Sequence, residues 1–268
     1  MLRGAQHVTV ASRALVDRVS ELGVLWRRIT YLPNTSSLTT ADQAHGDSRA
    51  AVYTHFGEVS PAHLLRLWAR ISDRVPEATL CVVGAGPNGE ERELSALATA
   101  KGIRSIRIHG ELLPEQLSLV VGSCGLALFP CEDTLVNRTR CSVRLVDLVA
   151  LGLPIVAHSV GECGHLVRGG ESGLLAQPGD DDAFVRAAVI LLNDPVLARR
   201  MGGAAKALYA RSLSSDLAGA VLSDLYNAAA GSWRDREMRP SGFPMAGRRR
   251  GRRAPPQPES REGREASR

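Results

Sequence analysis

The sequence lacks three features that would direct it to particular classes of protein. It has no apolar run approaching the roughly 18 residues that a membrane span needs, and its first residues do not resemble a signal peptide. Its five cysteines are an odd set without a C-x-x-C pair, which argues against a disulfide framework and against a zinc site. We therefore expect reduced thiols and a cytoplasmic protein, with any membrane contact peripheral.

Most of the chain also lacks an excess of positive charge, although the net charge is +5. Residues 232–268 contain 11 Arg against 5 Asp and Glu, so the residues before them carry a net charge of −1. The segment 231–268 is rich in Pro, Gly, Arg and Glu, which predicts a disordered tail. Its five arginines between 248 and 253 suit anionic lipid or nucleic acid, but a solvated tail is favoured and no specific nucleic-acid partner is expected.

The rest of the chain alternates short apolar runs with longer helical patterns. Strands apolar on both faces and separated by about 10 to 15 helical residues are typical of a parallel sheet covered on both sides. The sequence therefore predicts a doubly wound α/β domain, followed by two or three helices that pack on it up to about residue 230. The six predicted strands lie near residues 51–56, 79–84, 106–110, 125–130, 153–158 and 173–178, and the predicted helices span 61–74, 89–101, 114–121, 142–151 and 161–168.

The first residues follow a different pattern. A strand at 7–12, a helix up to Leu22 and a second strand in "RITYLPN" precede a polar stretch from Thr35 to Ser48. Two strands and one helix cannot bury both of their faces alone. We therefore expect 1–34 to be the remnant of an N-terminal domain that is largely missing, 35–48 to be a linker, and 49–230 to be the Rossmann-like domain.

Glycine-containing loops follow three of the predicted strands, at the edge of the sheet where doubly wound folds bind ligands. "FGEVSP" places Gly57 at a strand end, "GAGPNGEE" carries Gly84 and Gly86, and "HGEL" carries Gly110 and Glu111. For "GAGPNGEE" two interpretations are equally supported: a loop that approaches a ligand, and a turn that only connects a strand to a helix.

The stretch "NRTRCSVRLVDLVALGLPIVA" begins as a polar, basic loop and continues as a helix. Ser142 is placed to cap this helix, which would leave the backbone N–H groups of Val143 and Arg144 facing the ligand edge of the sheet. A helix N-terminus carries about half a positive charge and prefers an anion, phosphate above all.

Three arginines, Arg138, Arg140 and Arg144, stand in or near the first turn of this helix. Cations at a helix N-terminus oppose the dipole, so their presence favours an anion site there. Asp147 follows Arg144 by three residues and shares its helix face. An ion pair between them and a carboxylate that accepts ribose hydroxyls are equally supported.

Taken together, these motifs resemble the C-terminal, donor-binding part of a GT-B fold retaining glycosyltransferase of family four, also called glycosyl transferases group 1. The similarity runs over residues 8–209 and is most specific in "GLPIVAHSVGECGHLVRGGESGLLAQPGDDDAFVRAAVILLNDPVLARRMG". It implies transfer of a sugar, with retention, from a nucleotide-diphosphate sugar linked to UDP or GDP. The acceptor, a glycan, a lipid or a small molecule, stays open, and the resemblance implies neither a cofactor nor a metal.

The resemblance also implies roles for individual residues. Asp147 matches the second acid of the E-x7-E motif and holds the donor ribose. Ser142, Val143 and Arg144 match the element that faces the diphosphate. Gly110 and Glu111 match the loop that receives the nucleotide base.

The sequence also departs from the family pattern. Thr139 stands where the first acid of E-x7-E belongs, and "GEVSPAHLL" offers Glu58 where the family has basic residues. Two alternatives to an active transferase therefore stay open: a degenerate, non-catalytic sugar-nucleotide or interaction module, and a different nucleotide-binding α/β protein.

Overall fold

The computed structural model describes residues 4–38 and 48–230 of the chain. The predicted tail at 231–268 and residues 39–47 of the predicted linker lie outside the described residues. The strands are β1 Val8–Val10, β2 Ile29–Tyr31, β3 Arg49–Tyr53, β4 Thr79–Val83, β5 Ile106–Ile108, β6 Leu126–Phe129, β7 Ile155–His158 and β8 Gly173–Ala176. The helices are α1 Arg13–Glu21, α2 Pro61–Ser72, α3 Glu90–Ala100, α4 Pro114–Gly122, α5 Leu135–Thr139, α6 Val143–Ala150, α7 Cys163–Leu166, α8 Asp181–Asn193, α9 Pro195–Ser212 and α10 Ser215–Ala230.

Strands β3 to β8 form one parallel sheet, in the order β5-β4-β3-β6-β7-β8. All six predicted strands are present, and the predicted doubly wound α/β fold is confirmed. The chain moves outward from β3 to β5, returns to the centre at β6, and then moves outward on the other side. The strand order therefore reverses between β3 and β6, which is the position where such sheets bind ligands.

Two apolar clusters cover the two faces of this sheet. One contains Trp68 of α2 and Phe184 of α8, both fully buried, and the other is formed largely by α6 with Val121 of α4. The Trp68 indole N–H donates to the hydroxyl of Ser105 at 2.9 Å, so its one polar group is satisfied inside the core. Central strands are buried on both faces, which explains why they read as apolar runs without alternation.

The first described residues form a small unit of their own, β1-α1-β2, with the two strands parallel. Its apolar cluster consists of Val10, Val19, Val24 and Ile29. The Ser12 hydroxyl caps α1 by accepting the N–H of Leu15 at 3.2 Å. We refer to residues 4–34 as the N-terminal unit.

Helices α8, α9 and α10 follow the last strand and add no strand to the sheet, as the sequence predicts. Helix α8 packs on α2 and β8, while α9 packs on α6. Helix α5 corrects the sequence interpretation, because Asn137 and Arg138 lie on a short helix capped by the Thr134 hydroxyl and not in a loop. Within the described residues, no helix is long and apolar enough to cross a membrane.

Candidate functional site

The loops that follow β3 and β6 meet at the point where the strand order reverses. The N–H of Glu132 donates to the carbonyl oxygen of Glu58 at 2.8 Å. The buried amide of Asn137 donates to the same oxygen at 3.2 Å and to the Glu132 carbonyl at 2.8 Å. These bonds fix the β3–α2 loop, residues 54–60, against the β6–α6 connection, residues 130–142, so the two loops form one surface.

The β3–α2 loop holds a strained backbone. Phe56 has a φ of 62°, and it is the one non-glycine residue with positive φ in the described part of the chain. Its N–H donates to the Thr54 hydroxyl at 2.8 Å, which supports the turn. At Gly57, an added Cβ would lie 2.5 Å from the His55 ring and 3.2 Å from Arg140 Nη1. The predicted site residue Gly57 therefore lies directly against the Arg140 guanidinium.

Glu58 occupies the centre of this surface and is only 3% exposed. Its Oε1 lies 3.0 Å from Arg140 Nη2 and accepts the Ser142 hydroxyl at 3.2 Å. Its Oε2 accepts the Thr54 hydroxyl at 3.2 Å and lies 3.2 Å from His55 Nδ1. The sequence revealed only the lack of a base at this position, and nothing in it indicated that the carboxylate would contact the start of α6.

Ser142 stands at the N-cap position of α6 with an extended backbone, but its side chain does not cap the helix. The predicted cap is wrong because the hydroxyl points to Glu58 instead. No side chain of the described residues caps the first turn, and Val143 is 47% exposed there. The N–H groups at the start of α6 are consequently open to a ligand, as the anion-site hypothesis requires.

Arg144 extends from the first turn of α6 over the ring of Tyr53, with its guanidinium carbon 5.3 Å from the ring centroid. Although Arg144 and Asp147 are both described, they form no ion pair, and Arg144 Nε is buried without a hydrogen-bond partner. Of the two interpretations of this pair, the simple ion pair is therefore wrong. Tyr53 was missed by the sequence reasoning, although an aromatic residue at the end of the central strand is a usable signal.

Asp147 lies one turn deeper in α6 and is 6% exposed. Burial raises the pKa of this carboxyl, while a hydrogen bond from Ser36 and the charge of Arg144 oppose the rise. The pKa of Tyr53 is also raised, first by burial and then by the charges of Asp147 and Glu111, while Arg144 opposes the rise. These couplings bring Glu111, Tyr53, Arg144 and Asp147 into one electrostatic neighbourhood.

Gly110 begins the loop that carries Glu111, and its φ of 62° favours glycine. Its carbonyl accepts the N–H of Gly84 at 2.6 Å, which ties the β4–α3 and β5–α4 loops together. Glu111 is exposed beside this turn. The loop that the resemblance assigns to the nucleotide base therefore borders Tyr53 at the same edge of the sheet.

The contacts of the loop "GAGPNGEE" favour the second of its two interpretations, a turn that only connects a strand to a helix. Gly84 has a φ of 114°, and a Cβ there would lie 1.8 Å from the Thr54 carbonyl oxygen, so glycine is needed for strand packing. The N–H of Gly86 donates to Glu91 at 3.1 Å, and the N–H of Asn88 donates to Glu90 at 2.9 Å. The acids of α3 thus occupy the amides that a phosphate would use.

The two arginines before α6 have separate partners. Arg138 is about half exposed and forms a two-pronged pair with Asp133, at 2.5 and 2.6 Å, whereas Arg140 points to Glu58. Thr139, at the position of the expected acid, uses its hydroxyl inside α5, donating to the Leu135 carbonyl at 2.9 Å. Of the two, only Arg140 joins the surface around Glu58.

The N-terminal unit contacts the same connection from its other side. The Ser12 hydroxyl donates to the Thr139 carbonyl, and the Asn34 amide donates to the Cys141 carbonyl at 2.6 Å. Arg13 pairs with Glu162 at 2.9 Å, and the Tyr31 hydroxyl donates to the same carboxylate at 2.7 Å. Glu162 is 3% exposed, so this contact is a buried clamp between the N-terminal unit and α7.

The chain is similar to proteins of known activity. Its relatives include D-inositol 3-phosphate glycosyltransferases: the protein of Streptomyces griseus is 31% identical over 186 residues, covering 66% of this chain and 38% of that protein. The protein of Streptomyces coelicolor is 30% identical over 217 residues, covering 72% and 46%. The chain thus spans less than half the length of these curated relatives.

Solved structures share the fold. Sucrose-phosphate synthase from Thermosynechococcus elongatus superposes with a TM-score of 0.69 at 20% identity, over 85% of this chain and 59% of that chain. Anabaena HepE, solved with UDP and glucose, superposes with a TM-score of 0.68 at 16% identity, over 84% and 64%. These likenesses confirm a GT-B type α/β domain.

The family described as glycosyl transferases group 1 matches residues 55–194. This range includes the β6–α6 connection and all of the β3–α2 loop except Thr54. It covers more than half of the chain. The chain therefore belongs to the group 1 glycosyltransferase family.

Proposed function

We propose that this chain is the donor-binding domain of a glycosyltransferase and that it binds the diphosphate of a nucleotide sugar at the N-terminus of α6. The observation that carries the proposal is the uncapped first turn of α6, because the Ser142 hydroxyl is directed to Glu58 and leaves the helix N–H groups open. Arg144 adds a full positive charge whose Nε has no partner. An anion at this position satisfies both groups.

The position of the other predicted residues agrees with a nucleotide that extends along the sheet edge. Asp147, one turn deeper in α6, would hold the ribose, and the loop of Gly110 and Glu111 would receive the base. In transfer, Arg144 and the α6 dipole would stabilise the negative charge of the departing nucleoside diphosphate while the sugar gains oxocarbenium character. The donor is UDP- or GDP-linked, transfer proceeds with retention, and UDP is favoured because several structural neighbours were solved with it.

A second candidate is a non-catalytic binding module that keeps the fold. It is favoured by two observations: Thr139 stands where an acid belongs, and the Glu58 carboxylate already contacts Arg140 and Ser142. The two candidates differ in whether sugar is transferred, since either of them can bind nucleotide.

Calorimetric titration of the full chain with UDP, GDP and ADP tests the shared step. We expect one of these nucleotides, UDP above the others, to give saturable heat. The absence of heat with all three would contradict the proposed function. Transfer is then tested with the matching nucleotide sugar and a set of glycan, lipid and small-molecule acceptors, and NMR of the product's anomeric proton reports whether configuration is retained.

A further inference from the structure

Charges around the first turn of α6 are nearly balanced before any ligand arrives. The two cations are Arg140 and Arg144, and they are accompanied by the carboxylates of Glu58 and Asp147. A site for a dianionic diphosphate is expected to carry excess positive charge. This site carries no such excess, and Glu58 is the acid that contacts the start of α6.

Glu58 also engages the groups that would otherwise serve a phosphate. Arg140 Nη2 lies 3.0 Å from its Oε1, and the Ser142 hydroxyl donates to the same oxygen at 3.2 Å. The remaining oxygen accepts from Thr54 and faces His55 at 3.2 Å. With 3% of Glu58 exposed, water screens this charge poorly, and the loop bonds of Asn137 and Glu132 to its carbonyl hold it in place.

A diphosphate at the α6 N-terminus would therefore approach within a few ångströms of a fixed carboxylate. Like charges at that separation in a poorly screened site repel strongly. The helix N–H groups and Arg144 remain to attract the ligand, but the attraction from Arg140 is already taken up by Glu58. The phosphates consequently contribute less to affinity than the same helix would provide without the acid.

We infer that Glu58 is a specificity-determining residue, a built-in anion that lowers the contribution of the phosphates and leaves the nucleoside portion to supply most of the affinity. The inference rests on the proposed donor site. Under it, the natural chain discriminates weakly between a nucleoside and its diphosphate, and neutralising Glu58 restores the discrimination.

The test compares dissociation constants of uridine and UDP, and of guanosine and GDP, by ligand-observed NMR titration. The proteins are the natural chain, Glu58→Gln, and the matched control Glu162→Gln. The control removes the charge of an equally buried carboxylate that also pairs with an arginine but lies outside the site. Thermal unfolding and circular dichroism establish that each variant is folded.

We expect the natural chain to bind the diphosphate less than tenfold more tightly than the nucleoside. Glu58→Gln should widen this ratio at least tenfold, through tighter diphosphate binding, while Glu162→Gln should leave it unchanged. An unchanged or smaller ratio in Glu58→Gln would overturn the inference, since Glu58 would then act by orienting Arg140 and Ser142. That outcome leaves the proposed function intact if the natural chain binds UDP or GDP.

The remaining outcomes separate the two proposals. If Glu58→Gln binds a diphosphate and the natural chain does not, the result supports the role of Glu58 and contradicts donor binding by the natural chain. Failure of both proteins to bind any of the four compounds contradicts both proposals. If Glu58→Gln does not fold, the ratio in the natural chain decides: a value below tenfold supports the inference, and a larger value refutes it.

Discussion

Replacing Arg144 by alanine separates a residue that binds the diphosphate from one that only supports the fold. The guanidinium lies over Tyr53 with its Nε unpaired, and it forms no ion pair with Asp147. A charge-assisted hydrogen bond to a phosphate contributes about 1.5 to 3 kcal/mol. We therefore expect Arg144→Ala to weaken UDP binding by about tenfold to 150-fold, so that UDP no longer binds more tightly than uridine.

The same substitution should change stability little. The lost cation–π contact at a partly exposed site is worth about 0.5 to 1 kcal/mol. Removing a buried, unpaired N–H group offsets part of that loss. For a domain of this size, the expected change in melting temperature is about 3 °C or less.

The assay pairs calorimetric titration of UDP with thermal unfolding of the same samples. Arg138→Ala is the matched control, because Arg138 belongs to the same basic stretch but pairs with Asp133 on the surface of α5. It should bind UDP like the natural chain. Unchanged UDP affinity in Arg144→Ala, or an equal loss in Arg138→Ala, would refute the assignment of the diphosphate to the start of α6.

Three further predictions concern the scaffold. Gly84→Ala should destabilise the chain by about 3 kcal/mol or more, because its Cβ would meet the Thr54 carbonyl at 1.8 Å. Gly203→Ala, in the open part of α9, should instead stabilise the chain by about 0.5 to 1 kcal/mol. Urea unfolding measures both changes. Glu162→Gln should lower the melting temperature by several degrees, since it weakens the buried clamp, and an unchanged value would show that the clamp contributes nothing. Burial lowers the pKa of His158 below its ordinary 6.5, so the unfolded chain binds this proton more readily and stability falls as pH drops below 6.5. A His158→Gln variant should therefore show a shallower fall of melting temperature between about pH 7 and pH 5. An identical slope in the variant and the natural chain would contradict this.

Much of the fold could be predicted from the sequence because the core imposes a simple pattern. Central strands such as β4 and β6 are buried on both faces, and the helices between them show regular apolar spacing. Helix α5 escaped prediction because five residues are too few to show a period, although Thr134 marks its start. Local signals therefore identify long elements well and short polar ones poorly.

The site was predicted in its location and only partly in its contacts. The rule that ligands bind where strand order reverses brings Gly57, Arg140 and Arg144 together without any knowledge of distances. This rule cannot show where a side chain points. The Ser142 hydroxyl had two acceptable partners, the helix N–H groups and Glu58, and only the three-dimensional positions decide between them.

The reversal of strand order between β3 and β6 also has an evolutionary consequence. The polar residues of the site, including His55, Glu58, Arg140 and Arg144, lie outside both apolar clusters that stabilise the sheet. Among them, Arg144 Nε has no hydrogen-bond partner, so changes at Arg144 alter ligand preference at less risk to folding than changes at Glu58, which is buried and pairs with Arg140. A lineage built on this domain can exchange one donor for another, or lose catalysis altogether, while the protein continues to fold and to be retained.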